Sequence, residues 1–169
     1  MRKLAGFLAG VLSAAIVLAV VAFVALRQAH GFSALEKPSG IERWIAGRAR
    51  DLAMPSAAKS VVNPIPDTPE VLTEARAHWA DHCASCHANN GSGDTEMGEH
   101  SFPAAPDMRA SETQDKTDGE LFFIIQNGVR MSGMPGWAAP GHDEDSWKLV
   151  RFIRHLPHQP LKKNSTCRK

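Results

Sequence analysis

Apolar residues dominate the beginning of the chain. The segment from Leu4 to Leu26 is 23 residues long and contains no charged side chain, and Arg2 and Lys3 come directly before it. A helix of that length spans about 34 Å, which is enough for a bilayer core of about 30 Å. We therefore predict that residues 1–27 form a transmembrane anchor with its basic end in the cytoplasm. A cleaved secretory signal is the alternative, and both interpretations export the rest of the chain.

A polar linker with one amphipathic stretch follows, from residue 28 to residue 66. The sequence Ser39-Gly40-Ile41-Glu42 has the form of a capping box and predicts a helix with Ser39 as its N-cap. Apolar side chains recur at helical spacing behind it, with three arginines between them, and Pro55 ends the pattern. This helix either lies on the membrane surface or packs against a protein. From Pro55 onward, the prolines predict an extended chain.

Three further helices are predicted between residues 67 and 157. The first begins at Thr68, which can cap a helix that has Pro69 at its first position. The second runs over residues 118–127 and ends at Gly128, and the third runs from Asp145 or Ser146 to Leu156. The glycine-rich residues 88–99 predict no regular structure. Residues 158–169 form a basic C-terminal tail.

The charge balance excludes a nucleic-acid-binding protein. Three of the 19 basic residues lie in residues 1–27, so the remaining chain has 16 basic and 18 acidic residues. That part is slightly acidic, whereas nucleic-acid-binding surfaces are strongly basic. The three cysteines do not form a disulfide scaffold, and Cys167 in the tail is expected to be a free thiol.

The main chemical signal is the sequence Cys83-Ala84-Ser85-Cys86-His87. Two cysteines three residues apart, followed by histidine, are the attachment pattern of c-type haem. Residues i and i+3 share one face of a helix, so both thiols can reach one porphyrin edge while His87 ligates the iron. A thiol-redox pair or half of a zinc site is the alternative, but a zinc site needs further ligands and Cys167 is the remaining cysteine.

Around this motif the chain resembles the class I c-type cytochromes. Ala75 and Trp79 precede Cys83 by eight and four residues, where that family places a small residue and an aromatic residue at the crossing of its first and last helices. The matching pieces follow the family's order over about residues 67–157. The resemblance implies an all-α class I cytochrome c fold around one covalent haem, preceded here by the transmembrane helix and the short juxtamembrane helix.

The resemblance also implies the remaining haem contacts. A loop proline of the family accepts a hydrogen bond from the ligating histidine, and Pro106 is the candidate here, with Pro103 as the alternative. Residues 131–137 resemble the family's sixth-ligand loop, in which Met134 would bind the iron opposite His87 and Met131 is the second candidate.

Trp137, at the end of the same loop, is expected to pack near the haem edge. No catalytic residue is predicted.

Ligation from both sides would leave the iron no open site, so its expected role is to cycle between Fe(II) and Fe(III). The sequence therefore predicts a membrane-anchored electron-transfer protein whose haem domain lies in the periplasm of a bacterium, on the outer face of the inner membrane. A quinol-oxidising complex or dehydrogenase would be its donor, and an oxidase or reductase its acceptor. The alternatives are a haem c subunit of a larger dehydrogenase or oxidase complex and a haem peroxidase.

Overall fold

The computed structural model describes residues 2–28 and 38–157. The first unit contains one helix, α1 (Arg2–Gln28), whose described side chains are all exposed. Its segment Gly6–Gln28 includes an 18-residue stretch with a mean hydropathy of 2.8 and is long and apolar enough to cross a membrane. The C-terminal tail, with Cys167, lies outside the described residues.

The second unit is helical, and its described part contains no strand. Its helices are α2 (Gly40–Ala53), α3 (Ser56–Ser60), α4 (Pro69–His82), α5 (Ala84–His87), α6 (Glu96–Glu99), α7 (Ser111–Gln114), α8 (Asp118–Asn127) and α9 (Asp143–Arg154). The predicted all-α fold is confirmed.

Local capping chemistry sets where the longer helices begin. The Ser39 hydroxyl accepts the Glu42 amide at 3.3 Å, and the Glu42 carboxylate accepts the Ser39 amide at 2.6 Å. Thr117 and Glu120 form the same reciprocal pair at the start of α8. Thr68 caps α4, with Pro69 in its first turn, as the sequence predicts. These bonds satisfy amides that would otherwise have no partner inside the helix.

The core lies where α4 crosses α9. Ala75 and Trp79 of α4 are 1% and 2% exposed, and the Trp79 ring lies 5.2 Å from that of Phe152 on α9. On the other side of α9, Trp147 stacks on Phe122 of α8 at 3.9 Å, with their planes nearly parallel. The predicted crossing of the first and last helices of the domain is confirmed, and α8 covers its flank.

The segment after Pro55 differs from the prediction. We call residues 54–66 the strap. Its residues 56–60 form the short helix α3, although residues 61–66 are extended as expected. The strap packs on the domain: Asn63 is 5% exposed, and its side-chain amide donates to the Trp147 carbonyl at 3.0 Å. These contacts are to residues far away in sequence, so the local proline pattern could not reveal them.

Three smaller details also differ. Glu96–Glu99 form a helical turn inside the glycine-rich stretch, because the Thr95 hydroxyl accepts the Gly98 amide at 2.8 Å. Helix α9 begins at Asp143 rather than at residue 145 or 146. Gly128 has the expected positive φ of 66°, but its ψ of −167° is extended rather than left-handed helical.

Candidate haem-binding site

The cysteine motif occupies one helical turn directly after α4. The Cys83 carbonyl accepts the amides of Cys86 and His87 at 3.2 and 2.9 Å. This turn places positions 83 and 86 on one side, as the spacing predicts. Both thiols are free and partly buried.

The environment of Cys83 does not favour a reactive redox thiol. Burial raises its pKa to about 11, with a smaller contribution from Cys86. Reactive CxxC motifs instead have a cysteine with a lowered pKa. Among the described residues, no group of three or more His, Cys, Asp or Glu side chains could hold a metal ion. The zinc interpretation of the motif therefore finds no support in this part of the chain.

His87 is a buried imidazole with an unsatisfied nitrogen. The residue is 8% exposed, and its Nδ1 atom has no hydrogen-bond partner among the described residues. Burial lowers the pKa of His87, and the backbone carbonyl of Pro106 opposes this shift. The Pro106 carbonyl therefore lies close enough to favour the protonated ring, although its geometry is not that of a full hydrogen bond. Burying an unpaired polar group costs about 1–3 kcal/mol, which a tighter contact between this nitrogen and the Pro106 carbonyl would offset.

The chain turns sharply after this ligand. Ala88 has a φ of 60°, a value that residues with a side chain rarely adopt. Its carbonyl accepts the indole N–H of Trp79 at 2.9 Å. Trp79, a core residue of α4, thus also fixes the backbone that follows His87.

Tight backbone packing holds the Pro106 loop against the motif. A Cβ atom on Gly93 would lie 2.5 Å from the Ala105 carbonyl oxygen, and one on Gly98 would overlap the Cys86 carbonyl oxygen. Gly93 also has a φ of +74°. Both positions therefore need glycine, which allows the loop to approach His87 closely.

Two polar side chains that the sequence did not single out strengthen this arrangement. The buried Gln114 amide donates to the carbonyls of Met108 and Ile153 at 2.6 and 2.9 Å, which ties the Pro106 loop to α9. The Thr95 hydroxyl donates to the Ser85 carbonyl at 2.7 Å. A buried glutamine beside a loop gives no sequence signal, whereas Thr95 precedes its helical turn in the manner of an N-cap.

The methionine loop, residues 128–137, docks at its base on the end of α8. A Cβ atom on Gly128 would lie 2.5 Å from the Gly136 amide nitrogen, so the two ends of the loop meet at backbone distance. The Trp137 amide donates to the Ile125 carbonyl at 3.1 Å. The loop is therefore closed at its base by glycines and backbone hydrogen bonds.

A serine hydroxyl organises the tip of this loop. Ser132 Oγ accepts the Met134 amide at 3.2 Å and donates to the Val129 carbonyl at 2.7 Å. Met134 is partly buried, whereas Met131 is 90% exposed. Of the two candidate ligands, Met134 is the one that the loop turns toward the protein.

A cleft of about 250 Å³ reaches Cys83 of the motif and Trp137 at the end of the methionine loop, but His87 and Met134 are not among the residues that line it. Cys83 lies at one wall and Trp137 at another, and Leu149 of α9 also lines it. Trp137 is 37% exposed and lies 5.6 Å from the His82 ring, measured between ring centroids. The tryptophan predicted at the haem edge thus borders a space that also reaches an attachment cysteine.

Two histidines of α4 also line this cleft. The rings of His78 and His82 lie 4.7 Å apart on one face of α4. Burial lowers the pKa of His78, and the neighbouring His82 lowers it further. In the sequence, their spacing of four residues just before Cys83 was the signal that could have placed both rings together beside the motif. His155 instead pairs with Asp67 at 2.9 Å.

These residues fit a covalently attached haem. The chain offers two free thiols one turn apart, a buried imidazole with an unpaired nitrogen, and a cleft that adjoins both the motif and the methionine loop. Arg109, in the Pro106 loop, is paired with Asp107 at 2.8 Å.

Comparison with known proteins indicates a c-type cytochrome domain. Residues 70–153 match the family model described as cytochrome c oxidase, cbb3-type, subunit III. Over 92 residues the chain is 32% identical to the cbb3-type cytochrome c oxidase subunit FixP of Rhizobium meliloti (strain 1021). That match covers 54% of this chain and 29% of FixP. Residues 70–153 therefore form a domain of the c-type cytochrome family, in which haem c is bound covalently.

Proposed function

We propose that this chain is a membrane-anchored electron-transfer protein with one haem c, attached through Cys83 and Cys86. The haem supplies one-electron chemistry, because its iron cycles between Fe(II) and Fe(III). His87 and Met134 would hold the iron, and with both bound it would have no position for oxygen, peroxide or another substrate. The Pro106 carbonyl orients the imidazole, and Trp137 shields the haem edge from water.

One observation carries this proposal. His87 follows two free thiols in a single helical turn, is sealed from solvent, and keeps one ring nitrogen unpaired. An ordinary core histidine satisfies its buried nitrogens with protein partners. A nitrogen beside a proline carbonyl suits a ligand-binding imidazole, because an Nδ1–H donated to that carbonyl would orient the ring and leave Nε2 for the iron.

Residues 1–27 anchor the domain in the inner membrane, with the N-terminus in the cytoplasm and residues 67–157 in the periplasm. The length and hydropathy of α1 support this arrangement, as do the basic residues at its beginning. A c-type haem domain also belongs outside the cytoplasm, because its attachment requires export.

An oxidase is the proposed electron acceptor, since the relative FixP is named as a subunit of a cbb3-type cytochrome c oxidase. A quinol-oxidising complex or a dehydrogenase supplies the electron. Docking at the exposed edge near Trp137 is expected to be weak and transient, as is usual for redox encounters.

Optical spectroscopy on membranes that contain the full holoprotein tests this function. Addition of a quinol should reduce its haem, and admission of oxygen should reoxidise it only while the terminal oxidase is active. The purified protein should not consume hydrogen peroxide. Turnover of peroxide by the purified holoprotein would exclude a pure carrier and favour the peroxidase alternative.

A fixed subunit of an oxidase complex is the second candidate, and the match to FixP favours it. Mild detergent extraction distinguishes the two arrangements. A fixed subunit remains with the catalytic subunits of the oxidase through size-exclusion chromatography, whereas a shuttling carrier elutes alone.

A further inference from the structure

Helix α2 carries an apolar face that the described residues do not cover. Ile41, Ile45 and Leu52 are 68%, 54% and 87% exposed, and Trp44 is 63% exposed. At about 100° per residue, the three aliphatic side chains lie within about 40° of one another around the helix axis. No residue of α2 is buried. A face of this kind in a soluble setting would have to be covered by another molecule.

The domain holds α2 by a different side. Asp51 forms an ion pair with Lys116 at 3.4 Å, and Gly47, one turn earlier, is partly buried. Met54, directly after the helix, is 8% exposed and begins the strap. The centre of the aliphatic face lies about 100–140° around the helix axis from Asp51 and Gly47, whereas Trp44 lies at the edge of that face, about 20° from Asp51.

The position of α2 in the chain identifies what covers this face. Eleven residues, 29–39, separate α2 from the end of α1. Whatever their conformation, they span at most about 40 Å. If α1 crosses a membrane, α2 cannot leave the neighbourhood of the bilayer surface.

The composition of the face suits the interface between lipid headgroups and acyl chains. Trp44 and the aliphatic residues supply the apolar side, and tryptophan is enriched at that depth. Arg48 lies on the same face, between the angular positions of Trp44 and Ile41. An arginine there can extend its guanidinium group to lipid phosphates while its methylene stem stays in the apolar layer.

We propose that α2 lies in the outer surface of the membrane that α1 crosses, with Ile41, Ile45 and Leu52 inserted among the lipids. This inference rests on the proposed anchor. Because the strap and the Asp51–Lys116 pair connect α2 to the domain, the haem domain is held at one height and in one orientation above the membrane. The haem domain therefore does not swing freely on its linker.

Site-specific fluorescence on the full-length holoprotein tests the proposal. The protein is prepared with Cys167→Ser and one new cysteine, either Ile45→Cys on the aliphatic face or Arg50→Cys about 140° away around the axis. Each cysteine receives an environment-sensitive fluorophore, and the protein is inserted in phosphatidylethanolamine–phosphatidylglycerol vesicles. Quenching is measured with doxyl-labelled lipid and with aqueous iodide.

Lipid quenching should be several-fold stronger at position 45 than at position 50, and iodide quenching should show the reverse order. Equal quenching at the two positions would overturn the proposal. Failure of both quenchers to act at position 45 would also overturn the proposal, because a protein partner or a second copy would then cover the face.

An intact-mass measurement separates this result from the proposed function. Loss of residues 1–28 from the mature protein would overturn both the anchor and the location of α2. The haem spectrum of the same sample would still report whether the electron-transfer proposal holds.

Discussion

The two sides of the haem site are built differently. On the histidine side, residues 83–108, the ligand is 8% exposed, and Gly91, Gly93 and Gly98 are all buried around it. The methionine loop is closed at its base, but its tip is open, with Met131 90% exposed. The histidine side is part of the folded core, whereas the methionine side is a loop fastened at its ends.

This difference has a consequence for the strength of the two ligands. Displacing His87 requires movement of a buried turn that the Trp79 indole and the Pro106 loop hold in place. Displacing Met134 requires only that the tip of a loop open, and the Ser132 hydroxyl is the main polar restraint on that tip. We therefore expect the methionine to be the ligand that is exchanged first.

Replacement of the histidine should have the largest effect. His87→Ala removes the ligand and leaves an apolar void in the buried turn, so low-spin holoprotein should not accumulate. Absorption spectra of purified protein, normalised to total protein, measure this loss. His82→Ala, next to the motif but exposed, is the matched control and should retain a normal spectrum. A normal low-spin spectrum from His87→Ala would show that the histidine side has been assigned wrongly.

A pair of glycine substitutions compares the packing of the two sides. Gly98→Ala places a Cβ against the carbonyl of Cys86, so backbone must move, and we expect a loss of about 1–3 kcal/mol in the free energy of unfolding. Gly133→Ala, at the tip of the methionine loop, would meet Ser101 Oγ at an ordinary 3.4 Å and should be nearly neutral. Denaturant titration of both holoproteins measures the difference. Equal losses of stability in the two variants would mean that the backbone is packed equally closely on the two sides of the site.

Loss of the Ser132 hydroxyl should loosen the methionine side alone. Ser132→Ala removes two hydrogen bonds at the loop tip, worth about 1 kcal/mol in net stabilisation of the closed loop. The rate of carbon monoxide binding to the ferrous protein, which requires Met134 to leave, should rise about fivefold. Ser60→Ala, which removes a similar hydroxyl-to-carbonyl bond from α3, is the control and should not change this rate. An unchanged rate in Ser132→Ala would show that the base of the loop, and not the Ser132 hydroxyl, keeps Met134 in place.

The smallest expected effect concerns acid stability. Burial and the neighbouring His82 lower the pKa of His78 in the folded protein from its ordinary value of 6.5. The unfolded chain therefore binds a proton more readily, and the free energy of unfolding decreases as the pH falls below 6.5. His78→Gln should make this decrease shallower while leaving stability above neutral pH almost unchanged. A steeper decrease in the free energy of unfolding of the variant would show that folding raises the pKa of His78 rather than lowering it.

Local signals carried most of the sequence-based prediction. The capping residues Ser39 and Thr68 and the apolar bands of α4 and α9 depend on neighbours within one or two helical turns, so a sequence pattern is sufficient to find them. The order of the cysteine motif, the proline loop and the methionine loop identified the family for the same reason.

Contacts between distant residues could not be found in this way. The strap is placed by Asn63 on the Trp147 carbonyl and by the close approach of Ala58 to Gly119. The Pro106 loop is tied to α9 through Gln114. Each of these contacts depends on tertiary packing, which overrides what the local sequence favours.

The central claim is that protein ligands bind the iron from both sides, with Met134 as the second one. Absorption spectra of the ferric protein, compared between Met134→Ala and Met131→Ala, test it most directly. The account predicts that the methionine-to-iron charge-transfer band disappears in Met134→Ala, whose ferrous form then binds carbon monoxide rapidly, while Met131→Ala keeps the band. An unchanged band in Met134→Ala, or its loss in Met131→Ala alone, would contradict the claim.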